Sequence, residues 1–205
     1  MTLTYVTTNE GKLDEAREYL DEVKGLEFDY TEIQASNLAP IAAHGAKEAY
    51  QEVEAPVLVD DAGLFIEALD GFPGPYSSYV EDTLGIQTVG RIARDQDDPN
   101  ASFHCVIAYC DGEPFDAAPD SIDRADQNTA GTNEIRTADL SVPVKLFEGT
   151  VHGQIVEPRG DGGFGYDPIF ECGDETFAEM SRQKKNSLSH RGRALAKFAD
   201  FYQHR

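Results

Sequence analysis

The sequence predicts an α/β fold, because strand patterns and helix patterns alternate along the chain. Strand-forming residues at 3–7 are followed by a polar loop and then by apolar residues at helical spacing, namely Leu13, Ala16, Tyr19 and Leu20. A second apolar strand pattern at 56–59 follows an Ala-rich helical stretch at 40–53. The chain has 205 residues, of which 40% are hydrophobic. It can therefore bury a substantial core as one domain or as two lobes that share a sheet.

The loop after the first strand is a candidate ligand site. Residues 8–12 lie at the carboxyl end of that strand, where α/β folds place their ligands. Lys12 puts a cation near the start of the following helix, where backbone N–H groups already favour an anion. Asn9 has a second interpretation, since its side chain is also suited to capping the helix without touching a ligand.

Two adjacent carboxylates follow the second strand. Asp60 and Asp61 could chelate a divalent cation at a strand end. Asp-Asp before Ala62 and Gly63 is also ordinary turn chemistry, and the turn is the favoured interpretation from these residues alone. Glu32, in the segment 30–34, lies at a further possible strand end.

The middle of the chain contains two more predicted strands, at 103–109 and 144–156, joined by a long connection. Residues 113–141 are rich in Asp, Ala, Thr and Asn, which is typical of a solvated loop extension or a locally disordered segment. We find no internal repeat and no linker that would divide the chain. We therefore expect one domain over 1–205, with an acidic surface insertion at about 113–141.

The carboxyl-terminal part concentrates positive charge. Five of the 17 Lys and Arg residues fall within twelve positions, namely Arg182, Lys184, Lys185, Arg191 and Arg193. Ser189 is a suitable N-cap for a closing helix with apolar residues at Leu195, Phe198, Ala199 and Tyr202. His190 and Arg191 then fall in its first turn, where cations oppose the helix dipole unless an anion binds among them. The cluster thus indicates an anion site or a solvated basic patch, and the preceding glycine-rich run at 162–165 belongs to that site or is a flexible turn.

The chain is strongly acidic, with a net charge of -21 and a pI near 4.4. Such a field repels polyanions, so we expect neither a nucleic acid polymer nor a membrane as partner. The same surface charge is typical of adaptation to a high-salt cytoplasm, a hypothesis that the melting temperature in KCl tests. No apolar run approaches the about 20 residues that span a bilayer, and we expect a cytoplasmic protein. Its three cysteines, Cys105, Cys110 and Cys172, are expected to be reduced and without a catalytic role.

Five ordered motifs carry a resemblance to a known family. They are TTNEGK at 7–12, DDAGL at 60–64 with GFPGPYSSY at 71–79, GFGYDPIF at 163–170, FAEM at 177–180 and KNSLSHR at 185–191. Together they extend over nearly the whole chain. The sequence resembles the Ham1/inosine triphosphate pyrophosphatase family, and the segments 32–35 and 72–80 look like its archaeal branch.

The resemblance implies an enzyme that hydrolyses non-canonical purine nucleoside triphosphates, such as ITP, dITP and XTP, to the monophosphate and pyrophosphate. It also implies an elongated α/β fold of two lobes, with a long central mixed β-sheet and a nucleotide cleft between the lobes. A homodimer and a Mg²⁺ cofactor are implied as well.

The resemblance further implies roles for individual residues. The triphosphate would be cradled by Thr7, Thr8, Asn9, Glu10, Gly11 and Lys12. Glu32 and Asp61 would hold Mg²⁺, and Asp61 would be the catalytic residue that orients or deprotonates the attacking water. The residues that would face the base are Phe164, which would stack on it, Gly165, Tyr166 and Asp167. Contacts to base and phosphates would come from Lys185, His190 and Arg191.

Two features depart from the family pattern. Ala62 stands where the family usually has Ser, so that only the backbone N–H could contact substrate there, and the connection at 113–141 exceeds the usual short hairpin. Because of Ala62, a nucleotide sensor without turnover is an alternative function. A Maf-like nucleotide pyrophosphatase with another base preference is a second alternative, although its motifs fit less well.

Overall fold

The computed structural model describes residues 2–31, 33–115 and 142–205. These residues form seven strands and six α-helices. The strands are β1 (Leu3–Val6), β2 (Val23–Leu26), β3 (Val57–Ile66), β4 (Asn100–Cys110), β5 (Lys145–Ile155), β6 (Phe170–Cys172) and β7 (Glu175–Thr176). The helices are α1 (Glu10–Arg17), α2 (Leu38–Val53), α3 (Ser77–Leu84), α4 (Ile86–Arg94), α5 (Arg182–Leu188) and α6 (His190–Gln203).

All seven strands belong to one open sheet, in the order β2-β1-β3-β4-β5-β6-β7. β1 runs parallel to both of its neighbours, with Tyr5 opposite Gly25 on β2 and Leu58 on β3. β6 runs antiparallel to β5 and β7. The three central strands are the longest, with 10, 11 and 11 residues. The predicted α/β fold with a long central mixed sheet is confirmed.

The chain divides into two compact units. The first comprises Met1–Asp61, Cys105–Gly149 and Gly192–Arg205, and the second comprises Ala62–His104 and Thr150–Arg191. The expectations of one domain and of a nucleotide cleft stay predictions.

The core of the first unit is built from the apolar strands and from the buried faces of α2 and α6. The alanines of α2 lie on its buried face, as the helical pattern predicts. On α6, the ring of Phe198 lies 5.3 Å from that of Tyr109 on β4 and 5.4 Å from that of Phe147 on β5. Aromatic packing of this kind fixes the closing helix against the strands.

The second unit has a core of its own, centred on three phenylalanines. The ring of Phe170 lies 4.7 Å from that of Phe103 and 5.0 Å from that of Phe177. Tyr166 and Ile169 belong to the same buried cluster. The glycine-rich segment that precedes Tyr166 is therefore anchored directly on this core.

Most elements with a clear apolar pattern are confirmed. They are β1, α1, α2, β4, β5 and α6, which begins at His190 as the N-cap position of Ser189 predicts. β2 and α5 were not predicted, because both are short and lack an apolar period. α5 begins where the Ser181 hydroxyl accepts the backbone N–H of Lys184 at 3.3 Å.

The interpretation of 60–63 as a turn, or as the end of a strand, is wrong. β3 continues without interruption to Ile66, and its last part buries Leu64 and Ile66 in the core of the second unit. Gly63 allows the 3-10 turn at Gly74–Tyr76 to approach β3 closely, since a Cβ atom at Gly63 would lie 2.2 Å from the carbonyl oxygen of Gly74.

Two sequence expectations fall on residues that the structure does not describe. Glu32 is one of them, and the described residues on either side, 27–31 and 33–35, lie in no strand. Most of the expected insertion, 116–141, also lies outside the described residues. Over the part of the chain that is described, no helix is long and apolar enough to cross a membrane.

Candidate functional site

The loop between β1 and α1 is shaped by its own side chains. The hydroxyl of Thr7 accepts the backbone N–H of Asn9 at 3.1 Å. Oδ1 of Asn9 in turn accepts the backbone N–H of Lys12 at 3.2 Å, so Asn9 is the N-cap of α1, as predicted, and its contact with a ligand stays a prediction. Thr8, Glu10 and Gly11 are exposed around this cap. The turn leaves the polar groups of the loop at the carboxyl end of β1.

Lys12 is held by a buried carboxylate. Its Nζ lies 3.0 Å from Oδ1 of Asp60, whose side chain is 1% exposed, whereas that of Lys12 is 24% exposed. The hydroxyl of Tyr5 donates to the same oxygen at 2.7 Å. Sγ of Cys105 lies 3.9 Å from the other oxygen, Oδ2. The sequence predicts Lys12 as a binding residue but indicates no partner for it.

Asp61 follows Asp60 on β3. Successive side chains of a strand point to opposite faces, so the carboxylates of Asp60 and Asp61 lie in different environments. Asp61 and Ala62 are half-buried, and Oδ2 of Asp61 is itself buried. Within the described ranges, no group of three or more His, Cys, Asp or Glu side chains could hold a metal ion. Mg²⁺ does not require such a group, since one or two carboxylates together with substrate phosphates are its usual ligands.

In the second unit, a carboxylate fixes the glycine-rich loop. Oδ2 of Asp167 accepts the backbone N–H of Phe164 at 2.8 Å and the Nζ–H of Lys185 at 2.6 Å. Gly163 has φ +74°, and a Cβ atom there would lie 2.0 Å from the same oxygen. Only glycine fits at this position, so the loop is a pinned turn rather than a flexible one.

The pinned loop presents one aromatic ring to solvent. Phe164 is 38% exposed. Nζ of Lys185 lies 4.3 Å from its ring centroid and Cζ of Arg191 lies 5.7 Å from it, both within the range of cation–π contacts. Both cations are buried. A planar group that stacked on Phe164 would therefore lie near two fixed positive charges.

Three of the predicted residues support the loop from inside the unit. The phenol of Tyr166 donates to the carbonyl of Ser77 at 2.8 Å. Burial raises the pKa of Tyr166, as do the negative charges of Glu81 and Asp82. His190 stacks on Phe103, with ring centroids 4.7 Å apart. Gly165 adopts φ +60°, which lets the chain turn between the exposed Phe164 and the buried Tyr166.

The interpretation of the basic cluster as a solvated patch is wrong for its central members. Lys185, His190 and Arg191 are buried. The outer members Arg182, Lys184 and Arg193 are exposed, as that interpretation expected. Asp167 pairs with Lys185, and the core residue Phe103 stacks on His190, so these two members are held inside the unit.

The predicted site residues form two groups. In the first unit lie Thr7 to Lys12 and Asp61. In the second unit lie Ala62, the loop residues Phe164 to Asp167, and Lys185, His190 and Arg191. The contacts of Tyr5 and Asp60 with each other and with Lys12 are not predicted from the sequence. Asp60 carried a signal in the Asp-Asp pair, whereas Tyr5 could not be distinguished from an ordinary core residue.

The chain is similar in sequence to known proteins over nearly all of its length. Residues 3–201 match the family model of the Ham1 family. A dITP/XTP pyrophosphatase of Thermococcus kodakarensis is 43% identical over 98% of this chain and 97% of its own length. One from Methanopyrus kandleri is 38% identical over 98% of this chain and 96% of its own length.

Solved structures show the same similarity. A HAM1 protein from Coxiella burnetii superposes with a TM-score of 0.77 and 31% identity, covering 100% of both chains. The Ham1 protein of Staphylococcus aureus gives a TM-score of 0.73 and 26% identity over 99% of both chains. Sequence and fold thus agree over the full length, and the chain belongs to the Ham1 family.

Proposed function

We propose that this protein hydrolyses non-canonical purine nucleoside triphosphates, such as dITP, ITP and XTP, to the monophosphate and pyrophosphate, and so removes them from the nucleotide pool. The names of its relatives support this proposal, since they are dITP/XTP pyrophosphatases that match 98% of the chain. The observation that carries it is the exposed ring of Phe164 beside the buried cations Lys185 and Arg191. An aromatic ring next to fixed cations suits a planar base that is attached to an anion.

The two groups of residues would divide the substrate between them. The loop from Thr7 to Lys12 would take the triphosphate, with Lys12 as a point charge on it. Phe164 would stack on the base, Gly165, Tyr166 and Asp167 would shape its surroundings, and Lys185, His190 and Arg191 would contact base and phosphates. A 6-oxo purine accepts hydrogen bonds where the 6-amino group of ATP donates, so donors placed there would discriminate against ATP.

In the proposed reaction, water attacks the α-phosphorus. The oxygen of the water forms a bond to that phosphorus, the bond to the bridging oxygen breaks, and pyrophosphate leaves with the negative charge. Cations near the β-phosphate stabilise this charge. Asp61 would orient the water and accept its proton.

We propose that a divalent cation binds the acidic residues of this site. Asp61 would hold Mg²⁺, and Glu32, which lies outside the described residues, is proposed as the second ligand. Two carboxylates with substrate phosphates are a usual Mg²⁺ environment. When bound, the ion supplies positive charge to the phosphate oxygens and lowers the pKa of its water.

Product analysis tests the proposal. The protein is incubated with XTP, ITP, dITP, ATP and GTP in Mg²⁺ and KCl, and pyrophosphate is measured separately from inorganic phosphate. We expect pyrophosphate from the first three and little from ATP and GTP; because GTP also has a 6-oxo group, its rejection would depend on its 2-amino group. Asp61→Asn should abolish release, whereas Glu52→Gln, at an exposed position of α2, should not change it.

Two other outcomes correspond to the alternatives. Folded protein that binds these nucleotides without releasing pyrophosphate would be a sensor, and Ala62→Ser would then be the first variant to test for restored turnover. Preferential hydrolysis of pyrimidine or modified nucleotides would indicate a Maf-like base preference.

We propose further that the protein is a homodimer. The second unit exposes Phe72, Tyr76 and Tyr79 within one short stretch, and Tyr79 is 70% exposed. Aromatic residues are enriched in protein interfaces. In sedimentation velocity we expect a dimer, which Tyr79→Glu should dissociate and Gln51→Glu, at an exposed position of α2, should not.

The cellular setting follows from the substrate and the charge. Nucleoside triphosphates are held inside cells, so the proposed reaction takes place in the cytoplasm. The net charge of -21 suits a cytoplasm with a high salt concentration.

A further inference from the structure

Asp60 is the residue at this site for which the proposed reaction has no role. It lies next to Asp61 on β3, yet its side chain is almost completely buried in the first unit. We propose that Asp60 is a positioning residue, which holds the ammonium group of Lys12 ready for the substrate phosphates. This inference rests on the proposed function, and it separates the two adjacent carboxylates into one that positions Lys12 and one that acts on the attacking water.

The contacts of Asp60 favour this role over that of a metal ligand. Its Oδ1 accepts hydrogen bonds from the hydroxyl of Tyr5 at 2.7 Å and from Nζ of Lys12 at 3.0 Å. With 1% of its side chain exposed, it lies out of reach of a hydrated cation. Tyr5 is itself fully buried on β1, so its hydroxyl fixes the carboxylate of Asp60 to the core of the first unit.

Lys12 retains the capacity to bind an anion. An ammonium group has three N–H donors, and the contact with Asp60 uses one of them. The side chain is 24% exposed, which leaves its tip accessible. Lysine has a flexible stem with many rotamers. A partner that holds the stem before substrate arrives removes the entropic cost of ordering it during binding.

The same carboxylate also offsets part of the positive charge of Lys12. If neutralisation were its main effect, removal of the charge would strengthen the binding of phosphates. If positioning is its main effect, removal would weaken binding and lower turnover, because small displacements of a catalytic contact are costly. The two effects have opposite signs, so an isosteric neutral variant distinguishes them.

The experiment compares wild type, Asp60→Asn, Lys12→Met and the double variant, with Lys24→Met at an exposed position of β2 as control. Two readouts are used: kcat and KM for release of pyrophosphate from XTP, and calorimetric binding of inorganic tripolyphosphate without metal. We expect Asp60→Asn and Lys12→Met each to lower kcat/KM by up to about 100-fold. The double variant should lose no more than Lys12→Met alone, because both changes remove the same interaction. Asp60→Asn should also bind tripolyphosphate more weakly than wild type.

The inference is overturned if Asp60→Asn binds tripolyphosphate as tightly as wild type, or if the losses in the double variant multiply. If Asp60 acted in folding alone, the losses of the two single variants would multiply in the double variant. If Asp60→Asn does not fold, Tyr5→Phe takes its place and should weaken tripolyphosphate binding only while Lys12 is present. Wild-type protein that releases no pyrophosphate would contradict the proposed function, and the tripolyphosphate measurements would still decide the role of Asp60.

Discussion

Nζ of Lys185 lies 2.6 Å from Oδ2 of Asp167, and the two side chains are only 9% and 5% exposed. The same carboxylate oxygen accepts the backbone N–H of Phe164. One buried ion pair therefore connects α5 to the loop that presents the exposed aromatic ring. A buried pair contributes little net stability, but removal of one partner leaves the other charge buried and uncompensated.

We expect Asp167→Asn to lower the free energy of unfolding by about 3–5 kcal/mol, because the ammonium group of Lys185 loses its counter-charge. Urea unfolding followed by circular dichroism measures the change. Asp161→Asn, at an exposed position of the preceding loop, is the matched control and should stay within about 0.5 kcal/mol of wild type. A result for Asp167→Asn that equals this control would show that the pair is not structurally important.

Phe164→Leu should weaken binding of the base and leave binding of the phosphates unchanged. Stacking of a base on an aromatic ring contributes about 1–3 kcal/mol, so we expect KM for XTP to rise by about 5- to 150-fold with a smaller change in kcat. Inorganic tripolyphosphate, which has no base, is the control ligand. Equal losses for XTP and tripolyphosphate would mean that Phe164 acts on the fold of the loop and not on the base.

Elements of the fold are predictable where the local sequence determines them, and are not predictable where they depend on packing against distant parts of the chain. α6 is predicted because its apolar residues repeat with the helical period, and that period reports which face is buried. β4 is predicted for a different reason, since a short run of apolar residues such as 105–110 is typical of a strand that is buried on both faces. β2, with the sequence VKGL, has no such period and exists because β1 offers it a parallel partner. The continuation of β3 through Asp60 and Asp61 was hidden for a related reason, since Asp-Asp-Ala-Gly is typical of a turn and only packing within the sheet overrides it.

The site was predictable in its residue types and not in its contacts. Motif order identified Lys12 and Lys185 as binding residues, but their carboxylate partners are 48 and 18 positions away in the chain. Such pairs depend on tertiary packing, for which a local pattern carries no signal. The same holds for exposure. Arg191 is buried and Arg193, two positions later, is exposed, and the local sequence does not distinguish them.

Gly63→Ala should be among the more destabilising single changes in the second unit. A Cβ atom there would lie 2.2 Å from the backbone oxygen of Gly74, which also accepts the hydroxyl of Ser77. We expect a loss of about 3 kcal/mol or more, at the upper end of the overpacking range. Gly173→Ala is the control, because that residue has φ +75° but open space around it, and it should cost about 1–2 kcal/mol for the left-handed backbone alone. Equal losses in the free energy of unfolding for the two variants would show that the backbone around Gly63 shifts to accommodate the added methyl group.

Glu81→Gln should stabilise the protein at neutral pH and progressively less in acid. Burial raises the pKa of Glu81, and the negative charges of Asp82 and Asp167 raise it further. The folded state thus binds the proton more tightly than the unfolded state, and the cost of ionising Glu81 appears as pH rises through its raised pKa. Glutamine resembles the protonated form and avoids this cost.

Melting temperatures in high KCl, between about pH 8 and about pH 5, measure the difference for Glu81→Gln. The gain should be largest at the upper end of this range and should shrink toward the ordinary pKa of 4.5. Glu52→Gln, at an exposed position, controls for the general loss of one negative charge. A gain for Glu81→Gln that does not depend on pH would contradict the argument from burial.

The melting temperature of the wild-type protein should rise with KCl, because a net charge of -21 makes the folded state repel itself. The screening length falls from about 10 Å at 0.1 M salt to about 3 Å at 1 M, so most of this repulsion disappears over that range. A gain of about 2 kcal/mol would raise the melting temperature by about 4–8 °C for a chain of this size. A variant in which the exposed residues Glu18, Asp21 and Glu22 are replaced by their amides should melt higher than wild type at low salt and have a smaller dependence on KCl. A melting temperature that stays level or falls as KCl increases would rule out the high-salt adaptation and leave the acidic surface without an energetic role in folding.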